Sequence, residues 1–158
     1  MQIQAAVIEE KDQEFQIVDM ELGDPGIPHA VVPIENLQET DSRVLFALGR
    51  ALRYSDAFPK GANVNFYELT GKDKVYIRTY ERGVEDFTYA CGTGTGSTAL
   101  ALFLLGKCGR SVTAEMRGGT LKVEIDEENG TVNNLWLTGS TNIVAKGVIT
   151  DENINFDS

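Results

Sequence analysis

Cysteine and histidine are scarce in this sequence of 158 residues, which holds two cysteines, Cys91 and Cys108, and one histidine, His29. A Cys/His zinc site usually needs four such ligands at short spacings, so we expect no metal site. A helix between the two cysteines would separate them by about 25 Å, whereas a disulfide requires about 7 Å or less. We therefore expect free thiols, which suit a reducing compartment.

Basic residues and long hydrophobic runs are also scarce. The sequence has 14 Lys and Arg against 24 Asp and Glu, a net charge of −10, which argues against a nucleic-acid partner because phosphates require a basic face. The longest apolar run, 99–105, is far shorter than the roughly 20 residues that span a bilayer. Residues 1–20 lack the features of a signal peptide. We expect a cytoplasmic protein that binds neither nucleic acid nor a membrane.

What the sequence does contain is the pattern of one α+β domain over residues 1–158, without repeats or linkers. Apolar periodicity predicts an amphipathic helix over 40–54 and a wholly apolar helix over 94–107. Residues 22–28, with two prolines and two glycines, are predicted to form a loop. Strands are predicted over 2–9, 14–20, 29–34, 63–69, 74–80, 111–116, 120–125, 132–138 and 142–149.

The second helix is apolar on every side, so it should be buried on every side. The many short-turn connections between strands favour a curved, barrel-like, largely antiparallel sheet wrapped around this central helix. Cys91 comes just before the helix, and is therefore expected at the mouth of the sheet.

Cys91 opens a Gly-Thr-Gly-Thr-Gly segment at the predicted helix start. Backbone N–H groups and the positive helix end would favour a thiolate and could hold a carboxylate. A dinucleotide-binding motif is excluded because its third glycine position is Ser97, and a phosphate loop is excluded because no lysine follows. A flexible helix cap, or a buried thiol in a purely structural role, are the remaining alternatives.

A catalytic thiol needs a base nearby. The sequence offers four candidates, His29, Glu81, Glu85 and Asp86, and does not choose among them. Arg82 suits the bidentate binding of a carboxylate, although a charged turn at a strand end is usually only solvated. A lone histidine near a strand start is likewise more often structural than catalytic.

Five segments, 26–31, 58–66, 78–86, 88–94 and 136–139, together resemble diaminopimelate epimerase and its relatives, the racemases and epimerases that work without pyridoxal phosphate. The resemblance implies a fold of two similar halves, each a sheet curled around a helix and each supplying one cysteine. This chain resembles the C-terminal half. The resemblance thus implies an amino-acid substrate and no cofactor. It also implies that the missing N-terminal domain is a partner and that the isolated chain is inactive. A homodimer that forms through the exposed cleft is a further option.

The resemblance also implies roles for individual residues. The catalytic residues it assigns are Cys91, Glu81 and His29. The substrate-binding residues it assigns are Asn63, Arg82, Gly92 and Thr93. In this assignment Glu81 pairs with the thiol of Cys91, while His29 serves the cysteine of the other half. The N–H groups of Gly92 and Thr93 hold the substrate's α-carboxylate, and Asn63 and Arg82 contact its distal end.

Ile27 departs from the family pattern, because many members have asparagine before the Pro-His pair. The departure keeps open a different amino-acid racemase or an isomerase of unsaturated acids. A non-catalytic half that merely binds a carboxylate at 92–96 is a further alternative. A cysteine hydrolase is a weaker one, since His29 would have to be its base.

Overall fold

The structure is a computed structural model that describes residues 2–10, 13–23 and 26–148. Its elements are three groups of three strands, and one helix separates each group from the next. In chain order they are β1 Gln2–Glu10, β2 Gln13–Gly23, β3 Gly26–Pro33, α1 Ser42–Arg53, β4 Asn63–Gly71, β5 Lys74–Glu81, β6 Asp86–Phe87, α2 Gly92–Leu104, β7 Ser111–Met116, β8 Gly119–Glu128 and β9 Thr131–Gly139.

The strands form a single mixed sheet in the order β1-β2-β3-β4-β5-β7-β8-β9, with β6 paired to β5. Neighbours are antiparallel except β3 with β4 and β5 with β7, where α1 and α2 respectively lie in the connection. Helix α2 contacts strands from both ends of this order, β2 to β4 and β7 to β9. The sheet therefore curls around α2, which confirms the predicted fold class.

Helix α2 is buried without interruption from Gly94 to Leu102. Its alanine and leucine side chains pack against the inner face of the sheet, through residues such as Met20, Val31 and Ile77. A helix needs a polar face only where it meets water, so this one has none. Among the described residues, no helix combines the length and the apolar character that crossing a membrane would require.

Helix α1 covers the opposite, outer face of the sheet. Asp41 caps it by accepting a hydrogen bond from Arg43 N at 2.8 Å, and its buried face contacts β4 and β5. The ring of Tyr80 lies so close to Gly49 that a Cβ there would approach it to 2.9 Å. The sheet thus has one apolar core on each face, and alternate residues of a strand point to α2 or to α1.

Two sequence predictions are wrong. Residues 142–148 form no strand, and Ile143 and Val144 are 81% and 93% exposed; residue 149 lies outside the described residues. Strand propensity alone is insufficient there, because no strand of the described residues pairs with this segment through backbone hydrogen bonds. The predicted loop over 22–28 is mostly strand, since Leu22 pairs with Ile27 and Gly23 with Gly26; positions 24 and 25 lie outside the described residues.

Candidate active site

Cys91 is the N-cap residue of α2. Its backbone is extended, at φ −133° and ψ 108°, and its sulfur accepts a hydrogen bond from Gly94 N at 3.4 Å. The hydroxyl of Thr93 lies 3.5 Å from the same sulfur. The thiol is half-buried, so it has donors on the protein side and access on the other. This geometry suits a sulfur that carries negative charge during a reaction.

The first turn of α2 presents free backbone N–H groups beside this thiol. Gly92 and Thr93 are exposed, and an α-helix leaves the N–H groups of its first turn without intrahelical partners. Leu137 of β9 lies over Gly92, 3.1 Å from where a Cβ would be. The turn is therefore open to a small anion but is bordered by an apolar side chain.

Beneath this turn, a buried hydrogen-bond chain crosses three neighbouring strands. The hydroxyl of Thr79 on β5 donates to Asn65 Oδ1 on β4 at 3.0 Å. The amide nitrogen of Asn65 lies 3.0 Å from His29 Nδ1 on β3. Asn65 also reaches the helix, because a Cβ on Gly94 would overlap with Asn65 Oδ1 and lie 3.2 Å from Cys91 Sγ. Asn65 is thus the residue that links His29 to the thiol turn.

This chain of hydrogen bonds sets the protonation of His29. Since Asn65 Oδ1 accepts from Thr79, its amide nitrogen faces His29 and donates to Nδ1, which leaves the ring proton on Nε2. Burial, with a smaller contribution from the positive charge of Arg82, lowers the pKa of His29 to about 4. Nε2 is buried and has no hydrogen-bond partner among the described residues. At neutral pH His29 therefore offers one unused donor.

We expect NMR to show His29 neutral down to about pH 4, with its proton on Nε2. Because this is the sole histidine, a long-range ¹H–¹⁵N spectrum reads its tautomer and its titration without assignment. The unfolded ring binds a proton below about pH 6.5, while the folded ring does not. Stability should therefore fall as the pH drops from about 6.5 to about 4.

The control for this experiment is Asn65→Leu, which removes the amide but keeps a side chain of similar size. That variant should lose the tautomer preference. A wild-type titration midpoint near pH 6.5, or a proton on Nδ1, would contradict the arrangement.

Asn63, Glu81 and Arg82 lie at the edge where β4 begins and β5 ends. Asn63 Oδ1 accepts from Arg82 N at 2.7 Å, and Arg82 Nη1 donates to the carbonyl of Lys60 at 2.9 Å. These bonds orient the Arg82 guanidinium and leave the Asn63 amide nitrogen free to donate. Asn63 is also in register with His29, so the strands bring all of these residues to one region.

Glu81 is the one predicted catalytic residue that the structure does not connect to the others. Its side chain is half-buried, and it forms no hydrogen bond with Cys91 in the described part of the chain. Its carbonyl accepts from Val84 and Glu85 in the turn that leads to β6. Glu85, another candidate base, is paired instead with Arg53 at 3.2 Å.

Sequence reasoning missed Asn65, Thr79 and the role of Gly94. One signal was available: Asn63 and Asn65 are alternate positions in the buried stretch 63–67, whose other residues are apolar, so both amides must point to the same face. Buried amides require partners, and the partners are supplied by distant segments. Across the described residues, no group of three or more His, Cys, Asp or Glu is placed to hold a metal ion.

The sequence is similar to that of one known protein family. The sequence model of the family described as diaminopimelate epimerase matches residues 23–144. The diaminopimelate epimerase of Chlorobaculum tepidum is 43% identical over 129 residues, which cover 80% of this chain and 48% of that protein. That of Archaeoglobus fulgidus is 34% identical over 150 residues, covering 95% of this chain and 49% of that protein. The chain thus spans about half the length of the curated relatives it matches.

Two solved structures show the same fold at low sequence identity. A hydroxyproline epimerase from Agrobacterium vitis has a TM-score of 0.58 at 18% identity, over 81% of this chain and 43% of its own. A PhzF-family phenazine biosynthesis protein from Enterococcus faecalis has a TM-score of 0.56 at 21% identity, over 72% and 40%. These likenesses concern the fold, whereas the family match rests on sequence. This chain belongs to the diaminopimelate epimerase family.

Proposed function

We propose that the chain supplies one of the two catalytic faces of a cofactor-independent diaminopimelate epimerase, with Cys91 as its proton-transferring group. The observation that carries the proposal is the half-buried sulfur of Cys91 at the open start of α2, 3.4 Å from Gly94 N. The relatives named diaminopimelate epimerase support the substrate. The reaction interconverts the LL and meso forms.

Inversion at an α-carbon requires a base on one face and an acid on the other. In one direction the Cys91 thiolate takes the α-proton, so that the C–H bond breaks and an S–H bond forms. A second thiol on the opposite face then gives its proton to the same carbon. The α-proton of an amino acid is very weakly acidic, so the charge that develops towards the carboxylate must meet fixed donors. The N–H groups of Gly92 and Thr93 supply them.

The remaining residues position the substrate. We assign the distal carboxylate to the free amide nitrogen of Asn63 and the oriented guanidinium of Arg82. Glu81 takes the substrate amine and pairs with the thiol of Cys91 once substrate is bound. The Nε2–H of His29 is left to hydrogen-bond the thiolate of the opposite half, and Asn65 is the positioning residue that holds it there.

The second thiol comes from the half of the enzyme that this chain does not match. Cys108 cannot supply it, because it lies at the far end of α2 and is buried. The isolated chain is therefore inactive. Its two thiols are both free, which accords with the reducing cytoplasm as its location.

The test is reconstitution with a relative. We expect the chain alone to show no exchange of the α-hydrogen of diaminopimelate in D₂O. Fused to the part of the Chlorobaculum tepidum enzyme that it does not match, it should exchange and invert that centre. Activity of the chain alone would refute the half-site mechanism. A fusion that is folded and compact by size-exclusion chromatography, yet inactive, would refute the epimerase assignment.

Ile27 favours a second candidate, the same mechanism on another amino acid. It lies on β3 two residues before His29, is 41% exposed, and offers no donor to a distal carboxylate. A fusion that racemises another amino acid much faster than diaminopimelate would establish this alternative. Activity on diaminopimelate far above that on every other substrate would dismiss it.

A further inference from the structure

A cavity of about 510 Å³ lies on the outer face of the sheet, between the start of α1 and strands β5 and β6. We call it the arginine cavity. Its lining includes Ser42, Phe46, Arg78, Phe87, Thr88 and Arg117. Thr79 points inward to Asn65, so its neighbour Arg78 points outward. The sheet therefore separates this cavity from the His29–Asn65–Thr79 chain.

Arg78 is a buried cation without a counter-ion. It is 7% exposed, donates to Ser42 Oγ at 3.3 Å, and stacks its guanidinium 4.2 Å from the ring centre of Phe87. Its Nε is buried without a hydrogen-bond partner, and no carboxylate of the described residues lies within salt-bridge distance. A buried charge of this kind is normally paired.

Arg117 brings a second positive charge to the cavity. It is exposed and, within the described residues, forms no salt bridge. Arg78 and Arg117 line the same cavity, and the pKa of Arg78 is lowered by burial and then by the charge of Arg117. Negative charge between the two guanidinium groups would relieve this repulsion.

The other charged groups of the cavity offset only part of this positive charge, because Asp86 supplies one negative charge against those of Arg78 and Arg117. The guanidinium of Arg43 is already bound to Asp41, at 2.7 Å. Asp86 is the one acidic side chain in the lining, and its Oδ1 accepts from the Phe87 backbone. The hydroxyl of Thr88 is buried without a partner in the described part of the chain. This hydroxyl therefore adds an unused hydrogen-bond donor to the lining of the arginine cavity.

We propose that the arginine cavity is a binding site for a small organic anion, one that bears a phosphate or carboxylate group. Arg78 and Arg117 hold the charged group, Thr88 donates to it, and the rings of Phe46 and Phe87 cover its apolar part. A volume of about 510 Å³ lies in the range of small-molecule sites. This proposal is independent of the epimerase mechanism, since it uses none of the residues around Cys91.

The probes are inorganic phosphate and citrate, added to the ¹⁵N-labelled chain at constant ionic strength with sodium chloride as the reference salt. We expect saturable chemical-shift changes of the amides at 86–88 and 117–118 with at least one probe. The probe that binds more tightly shows whether the cavity prefers a phosphate or a carboxylate. Arg117→Gln should weaken binding about tenfold, since it removes a charged hydrogen-bond donor. Because Arg117 is exposed, this variant should fold.

Arg50→Gln is the matched control, because Arg50 is an exposed arginine of α1 outside the cavity. It removes the same net charge and should leave the affinity within about twofold. Equal weakening by both variants, or no saturable shift with either probe, would overturn the proposal. So would shifts centred on 91–95, which would place the anion at α2. Shifts that depend on protein concentration without added anion would assign the cavity to a carboxylate of a second copy.

Discussion

Replacing Cys91 with alanine is expected to lower the epimerisation rate of the assembled enzyme by about a thousandfold. The variant removes the thiol that we propose takes or gives the α-proton on this face, while the N–H groups of Gly92 and Thr93 remain. Substrate binding should therefore weaken much less than the rate falls. The measurements are α-hydrogen exchange in D₂O and the kcat and KM for inversion of diaminopimelate.

Cys108→Ala is the matched control for this prediction, because it removes the other thiol of the same chain. Cys108 is 8% exposed, and burial raises the pKa of its thiol, with a further rise from Asp73. That variant should keep its rate within a few-fold. In the isolated chain, iodoacetamide at neutral pH should label Cys91 faster than Cys108. Equal labelling, or an active Cys91→Ala enzyme, would remove the basis for a catalytic Cys91.

Replacing Gly94 with alanine is expected to destabilise the chain by about 2 kcal/mol. The new Cβ would overlap with Asn65 Oδ1, so Asn65 must move and give up its bonds to His29 and Thr79. The gain in helix propensity from alanine, about 1 kcal/mol, offsets only part of this cost. Thermal unfolding followed by circular dichroism should show a fall in Tm of about 4–8 °C.

Gly96→Ala provides the contrast two residues further along the same helix. A Cβ there would lie 3.5 Å from Leu22 Cδ1 and 3.7 Å from Leu135 Cδ1, which is ordinary contact. This variant should therefore keep or raise the Tm. If Gly94→Ala and Gly96→Ala had the same effect, the close approach of Asn65 to the helix would be refuted. The His29 spectrum gives a second test, because the tautomer should change only in Gly94→Ala.

The fold was largely predictable from local patterns. The apolar run over 99–105 needed burial on all sides, and the alternating strands on either side of it could provide this only by curling. The strand prediction failed where local residue propensity and strand pairing in the fold disagreed. Residues 142–148 have strand propensity without a neighbouring strand, whereas Leu22 and Ile27, read as loop, gained strand structure by pairing with each other.

Residue types alone predicted the candidate site only where one short segment carries it, whereas the family resemblance assigned His29, Asn63, Glu81 and Arg82. Cys91 and the turn after it are contiguous, so the residue types alone indicate a thiol at a helix start. Asn65 is different, because its two partners belong to β3 and β5 and come from positions 29 and 79. The arginine cavity combines α1, β5 and the turn around 117 in the same way.

The sequence by itself therefore determined the buried helix and the position of Cys91, since each depends on residues near one another in the chain, and the short turns between successive strands favoured a curled sheet. The tertiary structure alone decided that His29 holds its proton on Nε2, that Gly94 must be glycine, and that Arg78 has no counter-ion among the residues that the structure describes. These properties depend on burial and on hydrogen-bond partners, which only the packing of distant segments fixes.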